Sequence, residues 1–118
     1  MWYNNGMKTL IAPSILSGNF ANMGAEAESL APAGADWVHI DVMDGIFVPN
    51  LTFGFKMISD LRPHSDLFFD VHLMIADPAR YAERFVKAGA DLVSFHLEAE
   101  KDINGTIDTI KRCSCKAG

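Results

Sequence analysis

His39, Asp41 and Met43 alternate along Trp37-Val38-His39-Ile40-Asp41-Val42-Met43, and Asp70, His72 and Met74 alternate along Asp70-Val71-His72-Leu73-Met74. Side chains two residues apart share one face of a strand. Each segment, read as a strand, therefore carries histidine, carboxylate and methionine on a single side. Strands buried on both faces of a parallel sheet read as near-continuous Val, Ile and Leu, and an ionisable group costs free energy to bury there without a partner. Two imidazoles and a carboxylate converging at equivalent strand ends make a donor set for Zn, Fe, Mn or Co. The spacing predicts that His39, Asp41 and His72 ligate one divalent metal ion. The competing reading has both histidines as hydrogen-bonded core residues and Asp41 as a loop cap.

The loop Met43-Asp44-Gly45-Ile46-Phe47-Val48-Pro49-Asn50 follows the first of these strands. It exceeds the roughly 2–6 residues usual between a strand and a helix, and reads either as a lid or wall over the strand ends or as a structural loop turned by Gly45 and Pro49. His96 and Glu98 alternate near the end of a later strand and read as a hydrogen-bonded structural pair beneath the site.

Four strand–helix alternations would position these residues. Residues 8–16 read as a first strand, ended by Ser17-Gly18-Asn19, a turn and cap cluster. Phe20, Met23, Ala27, Leu30 and Ala31 recur at near-helical spacing over 20–33, closed by Gly34. A strand is predicted at 36–43, a short helix at 55–61 stopped by Pro63, and a strand at 67–75. Asp77-Pro78 is a helix start with proline at the first position, and that helix runs to Gly89. The fourth strand is predicted at 91–97 and the fourth helix at 103–112. Ala33-Gly34-Ala35-Asp36-Trp37-Val38 and Ala88-Gly89-Ala90-Asp91-Leu92-Val93 repeat one junction, a glycine exit from a helix into a strand. Strict alternation predicts an α/β fold with parallel strands. Both a closed barrel and an open doubly wound sheet fit the pattern; a barrel needs about 250 residues, and 118 is near half of that.

The composition, 49% hydrophobic and 21% charged, is that of a globular protein with room for one domain. Scattered basic residues and a net charge of −5 argue against a nucleic-acid partner. No apolar run reaches the roughly 18 residues of a membrane span. Residues 1–6 lack a basic region followed by an apolar one, so they read as an N-terminal extension and not a secretory signal; residues 7–118 form the domain. Cys113 and Cys115 read as free thiols in a cytoplasmic protein.

The segments Ile11-Ala12-Pro13-Ser14-Ile15-Leu16-Ser17, His39-Ile40-Asp41-Val42-Met43-Asp44-Gly45-Ile46-Phe47-Val48-Pro49-Asn50, Asp70-Val71-His72-Leu73-Met74 and Ser94-Phe95-His96-Leu97-Glu98-Ala99 occur in this order. Together they resemble the signatures of the ribulose-phosphate 3-epimerase family, from Met7 to the end of the chain. The resemblance implies a TIM-type (β/α)8 barrel of which the first four βα units are present. It implies inversion at C3 of a pentulose phosphate, ribulose 5-phosphate to xylulose 5-phosphate, by proton abstraction next to the carbonyl through a metal-stabilised enediolate. By position, His39, Asp41 and His72 match metal ligands and Asp41 also matches a catalytic acid/base. Ser14 and His72 match substrate-binding residues, and Met43 and Met74 match methionines that shield the intermediate.

The family pattern continues where this sequence stops. A fourth ligand, an aspartate that is also the opposing acid/base, and the phosphate-binding glycine loops belong to later strands. The sequence therefore reads as an epimerase given as a partial chain or completed by association, with a homo-oligomer or the missing C-terminal half as partner, and turnover by the isolated 118 residues is not expected. Two alternatives stand beside this: an inactive half-barrel serving as an assembly module, and a 3-epimerase of the allulose 6-phosphate type.

Overall fold

A computed structural model describes Gly6 and residues 8–118. The extension at 1–6 falls, Gly6 apart, outside the described residues, as does Met7. Four strands, β1 (Trp37–Met43), β2 (Phe68–Met74), β3 (Leu92–Phe95) and β4 (Lys116–Ala117), form one sheet in the order β1-β2-β3-β4. Every pairing is parallel. The helices are α1 (Met23–Leu30), α2 (Phe55–Leu61), α3 (Pro78–Ala88) and α4 (Ile103–Arg112). Val38, Ile40 and Val42 of β1, Phe69, Val71 and Leu73 of β2, and Val93 and Phe95 of β3 are buried in one cluster. Ala27 of α1, Ile58 and Leu61 of α2, Ala82 and Phe85 of α3 and Ile110 of α4 belong to that same cluster. The alternating burial of β1 and β2 leaves the opposite face half-exposed, and it carries His39, Asp41, Asp70 and His72. A sequential strand order with helices on one face is not the doubly wound arrangement.

Local chemistry explains the boundaries. Asp77 accepts from the Arg80 N–H at 3.4 Å and Pro78 opens α3, while Gly89, at φ 125°, closes it. Asp102 caps α4 by accepting from the Gly105 N–H at 3.0 Å. Among the described residues, no helix is long and apolar enough to cross a membrane.

Three expectations need correction. Residues 8–16 do not form a full strand: the Ile11 oxygen accepts from Asp36 and Trp37, His39 donates to the Pro13 oxygen, and Ser14 bridges His39 in parallel. Pro13 brings no N–H to a ladder, and Ile15–Ser17 then turns in a 3-10 helix. The helix expected over 20–33 is split into a 3-10 turn, Phe20–Asn22, and α1. The fourth predicted strand stops at Phe95, because Leu97–Ala99 turns with the Ala99 N–H on the His96 oxygen.

Arg62 is a structural hub that periodicity does not reveal. Its guanidinium lies 3.6 Å from the Phe69 ring centroid and donates to the Ser65 and Leu67 oxygens, both at 2.6 Å, and to Asp91 at 2.9 Å. Arg62→Met keeps the apolar stem but strips donors from four acceptors, the Gly89 oxygen at 3.3 Å among them. It will lower unfolding free energy by about 2 kcal/mol, measured by urea denaturation; a change near zero would remove Arg62 from the account.

Candidate metal centre

The parallel register sets the site. Asp41 pairs with His72 and His39 pairs with Asp70 across β1 and β2, so four polar side chains form a square on the half-exposed face. Asp41 Oδ1 lies 3.1 Å from His39 Nε2 and 3.1 Å from His72 Nδ1. Ser14, delivered by the lead-in segment through its bridge to His39, donates from Oγ to Asp41 Oδ2 at 2.5 Å. His39 Nδ1 turns the other way, to Asp70 Oδ2 at 2.7 Å. The Asp41 side chain is 15% exposed, against 25% and 27% for His39 and His72, so solvent reaches the imidazoles more readily than the carboxylate.

Burial by itself would raise the Asp41 carboxyl. The Ser14 hydrogen bond, the His39 charge and the contacts to His72 and His39 outweigh it and hold the group below the usual carboxylate range. His39 is raised above an ordinary imidazole, chiefly by its hydrogen bond to Asp70, against the opposing effect of burial and with help from the Asp41 charge.

The donor set passes a test of fit. One ligand atom each from His39, Asp41 and His72 lie within 4.8 Å of one another. Two ligands on a tetrahedral ion with bonds of about 2.1 Å stand about 3.4 Å apart, close to the two 3.1 Å separations. A carboxylate on the outer nitrogen of a ligand histidine fixes its ring and tautomer, and Asp70 occupies that place on His39. The three residues thus make a possible His-Asp-His metal site.

The loop after β1 is tied down at several points. Thr52 Oγ1 donates to the Asp41 backbone carbonyl at 2.7 Å and accepts from the Met43 N–H at 3.0 Å. Asp44 accepts from Ile46 and Phe47, both at 2.9 Å, and from Ala76 at 2.8 Å. Burial alone would raise the Asp44 carboxyl, but these N–H groups bring it below its ordinary value. Phe47 is thereby set against His96, with ring centroids 5.0 Å apart. Met43 and Met74 pair in register at the strand ends and are half-buried.

Sequence reasoning placed Asp70 on this face without a role, and it read His96 as a structural partner of Glu98 on a strand. The structure corrects the second point. Glu98 lies in the 3-10 turn, 3.6 Å from His96 Nδ1, whereas His96 Nε2 is 2.8 Å from His72 Nε2. The signal was available: His96 has the strand parity of Ser94, whose register partner is His72.

Residues 10–118 match the model of the family described as "Ribulose-phosphate 3 epimerase family". The chain is similar to the ribulose-phosphate 3-epimerase of Bacillus subtilis (strain 168), 52% identical over 108 residues that cover 92% of this chain and 50% of that protein. It is also similar to the chloroplastic ribulose-5-phosphate-3-epimerase of Arabidopsis thaliana, 49% identical over 111 residues, 92% of this chain and 40% of that one. The chain spans about half the length of the curated relatives it matches. Among solved structures, the 7,8-dihydropteroate synthase from Vibrio fischeri ES114 superposes with a TM-score of 0.63 over 92% of this chain and 41% of that one, at 16% identity. That last likeness is one of fold alone. The sequence matches carry the assignment: this chain belongs to the ribulose-phosphate 3-epimerase family.

Proposed function

We propose that this chain supplies the metal-binding and proton-abstracting half of a 3-epimerase acting on a pentulose phosphate, ribulose 5-phosphate to xylulose 5-phosphate. The observation that carries the reading is the two-sided use of Asp41. Its Oδ1 faces both imidazole nitrogens, while its Oδ2 is held by Ser14. His39 Nε2, His72 Nδ1 and Asp41 Oδ1 would hold one divalent ion. Bound there, such an ion supplies positive charge that polarises the ketose carbonyl and makes the neighbouring C–H more acidic.

The residues of the chain do the rest. Asp41 is ionised at neutral pH, and its Oδ2 takes the proton from C3. Ser14 steadies that oxygen and contacts the substrate, as does His72. Met43 and Met74 limit the access of water to the reacting carbon. Inversion needs a proton delivered to the opposite face, and the remaining length of the family supplies it together with the phosphate contacts. Sequential parallel strands with helices on one face support the first units of a (β/α)8 barrel, whose active sites lie at the C-terminal strand ends. Cys113 and Cys115 are free, which suits a cytoplasmic setting. The test is metal-dependent uptake of deuterium at C3 of ribulose 5-phosphate.

A further inference from the structure

His72 has two ring nitrogens that face opposite ways. Nδ1 points to the centre, 3.1 Å from Asp41 Oδ1, and Nε2 lies 2.8 Å from His96 Nε2. Two ring nitrogens this close share one proton, so one ring donates and the other accepts. A neutral His72 that offers its Nδ1 lone pair to an ion carries its proton on Nε2. His96 is then the acceptor at its own Nε2, and the proton of its neutral ring sits on Nδ1, on the side of Glu98 Oε1 at 3.6 Å. His39 meets the same requirement in one step, with Nδ1 on Asp70 and Nε2 left for the centre.

We propose that His96 is a positioning residue for the metal centre: it accepts the Nε2–H of His72 and so keeps the His72 Nδ1 lone pair directed at the ion. The proposal rests on the His39-Asp41-His72 reading given above. Geometry supports it from three sides. The His72 and His96 rings meet edge to edge: their centroids are 5.0 Å apart and their planes at 28°, so with 2.8 Å between the two Nε2 atoms the nitrogens lie near the line joining the ring centres. Phe47 also packs against His96, with ring centroids 5.0 Å apart, and its own N–H is fixed by Asp44. The backbone at His96 is held by the 3-10 turn through the Ala99 N–H at 3.0 Å. A ring clamped in this way has its acceptor nitrogen aimed in advance. A residue that merely filled space there would be replaced without loss by another aromatic ring.

His96→Phe keeps the ring and removes the acceptor; His96→Gln keeps an acceptor on a side chain of similar reach. Each is made in the 118-residue chain and titrated with Zn²⁺ against a chromophoric chelator, with metal-free thermal midpoints recorded to compare folding. His96→Phe will bind zinc about 10–100-fold more weakly, and His96→Gln will stay close to the unsubstituted chain. Nitrogen-15 spectra of the zinc-loaded unsubstituted chain will show the His72 proton on Nε2, with scalar coupling across the hydrogen bond to His96 Nε2. This second readout needs no variant. Equal zinc affinity in His96→Phe, or zinc-loaded His72 without that coupling, overturns the proposal while leaving the metal centre standing. No zinc uptake by the unsubstituted chain overturns the metal centre itself, and this proposal with it.

Discussion

Replacing Asp41 by Asn will slow exchange of the C3 proton of ribulose 5-phosphate by about 10²–10⁴-fold, the usual contribution of a well-placed general base. The substitution is nearly isosteric. Ser14 Oγ, which now donates to Oδ2 at 2.5 Å, retains an acceptor in the amide oxygen, so the lead-in segment keeps its tether to β1. What vanishes is the ionised carboxylate. Its acidity in the native chain decides the pH dependence. Burial works against ionisation, but Ser14, His39 and His72 hold Asp41 below the usual carboxylate range. The base therefore stays ionised through mildly acidic pH and is lost only as pH falls through that lowered value. Exchange in Asp41→Asn equal to that of the unsubstituted chain would place the base elsewhere.

Loss of either imidazole will have a comparably large effect on metal binding. His39→Ala and His72→Ala each remove one of three donors from a centre whose atoms lie within 4.8 Å of one another. Zinc affinity in a competition titration will fall by more than the roughly 10–100-fold that losing an orienting partner costs. The pH dependence again has a definite sign. A ligand nitrogen has to be free of its proton, so protons compete with the ion. His39 is raised chiefly by its hydrogen bond to Asp70, against burial and with the Asp41 charge assisting. Competition therefore sets in at higher pH than an unperturbed imidazole would give, and affinity weakens as pH falls. An affinity indifferent to both substitutions would mean that zinc sits at another place, such as the Cys113 and Cys115 thiols.

The grouping of His39, Asp41 and His72 was legible because it depends on two simple periodicities. Alternation puts His39 and Asp41 on one face of β1, and parallel register between consecutive strands brings Asp41 opposite His72. Helices α2 and α3 were equally legible, since Pro63, Asp77-Pro78 and Gly89 mark their limits by backbone chemistry. What alternation could not give was the direction of contacts made across distant segments. The Arg62 guanidinium reaches Ser65, Leu67 and Asp91 from just past α2, and Thr52 returns over the end of β1 to bond Asp41 and Met43. His96 was misread for a related reason. Its alternation with Glu98 continued the strand pattern past Phe95, where the backbone already turns into Leu97–Ala99. The first strand failed on a single residue, Pro13, whose missing N–H outweighed the apolar character of its neighbours.

The most direct test of the central claim, that this chain carries the metal and the base of a 3-epimerase, is proton NMR of ribulose 5-phosphate in D₂O with the zinc-loaded 118-residue chain. The C3 proton signal will be replaced by deuterium, chelation of the zinc will stop the exchange, and zinc-loaded Asp41→Asn will exchange about 10²–10⁴-fold more slowly. Protium retained at C3 in the presence of the fully loaded unsubstituted chain would contradict the account.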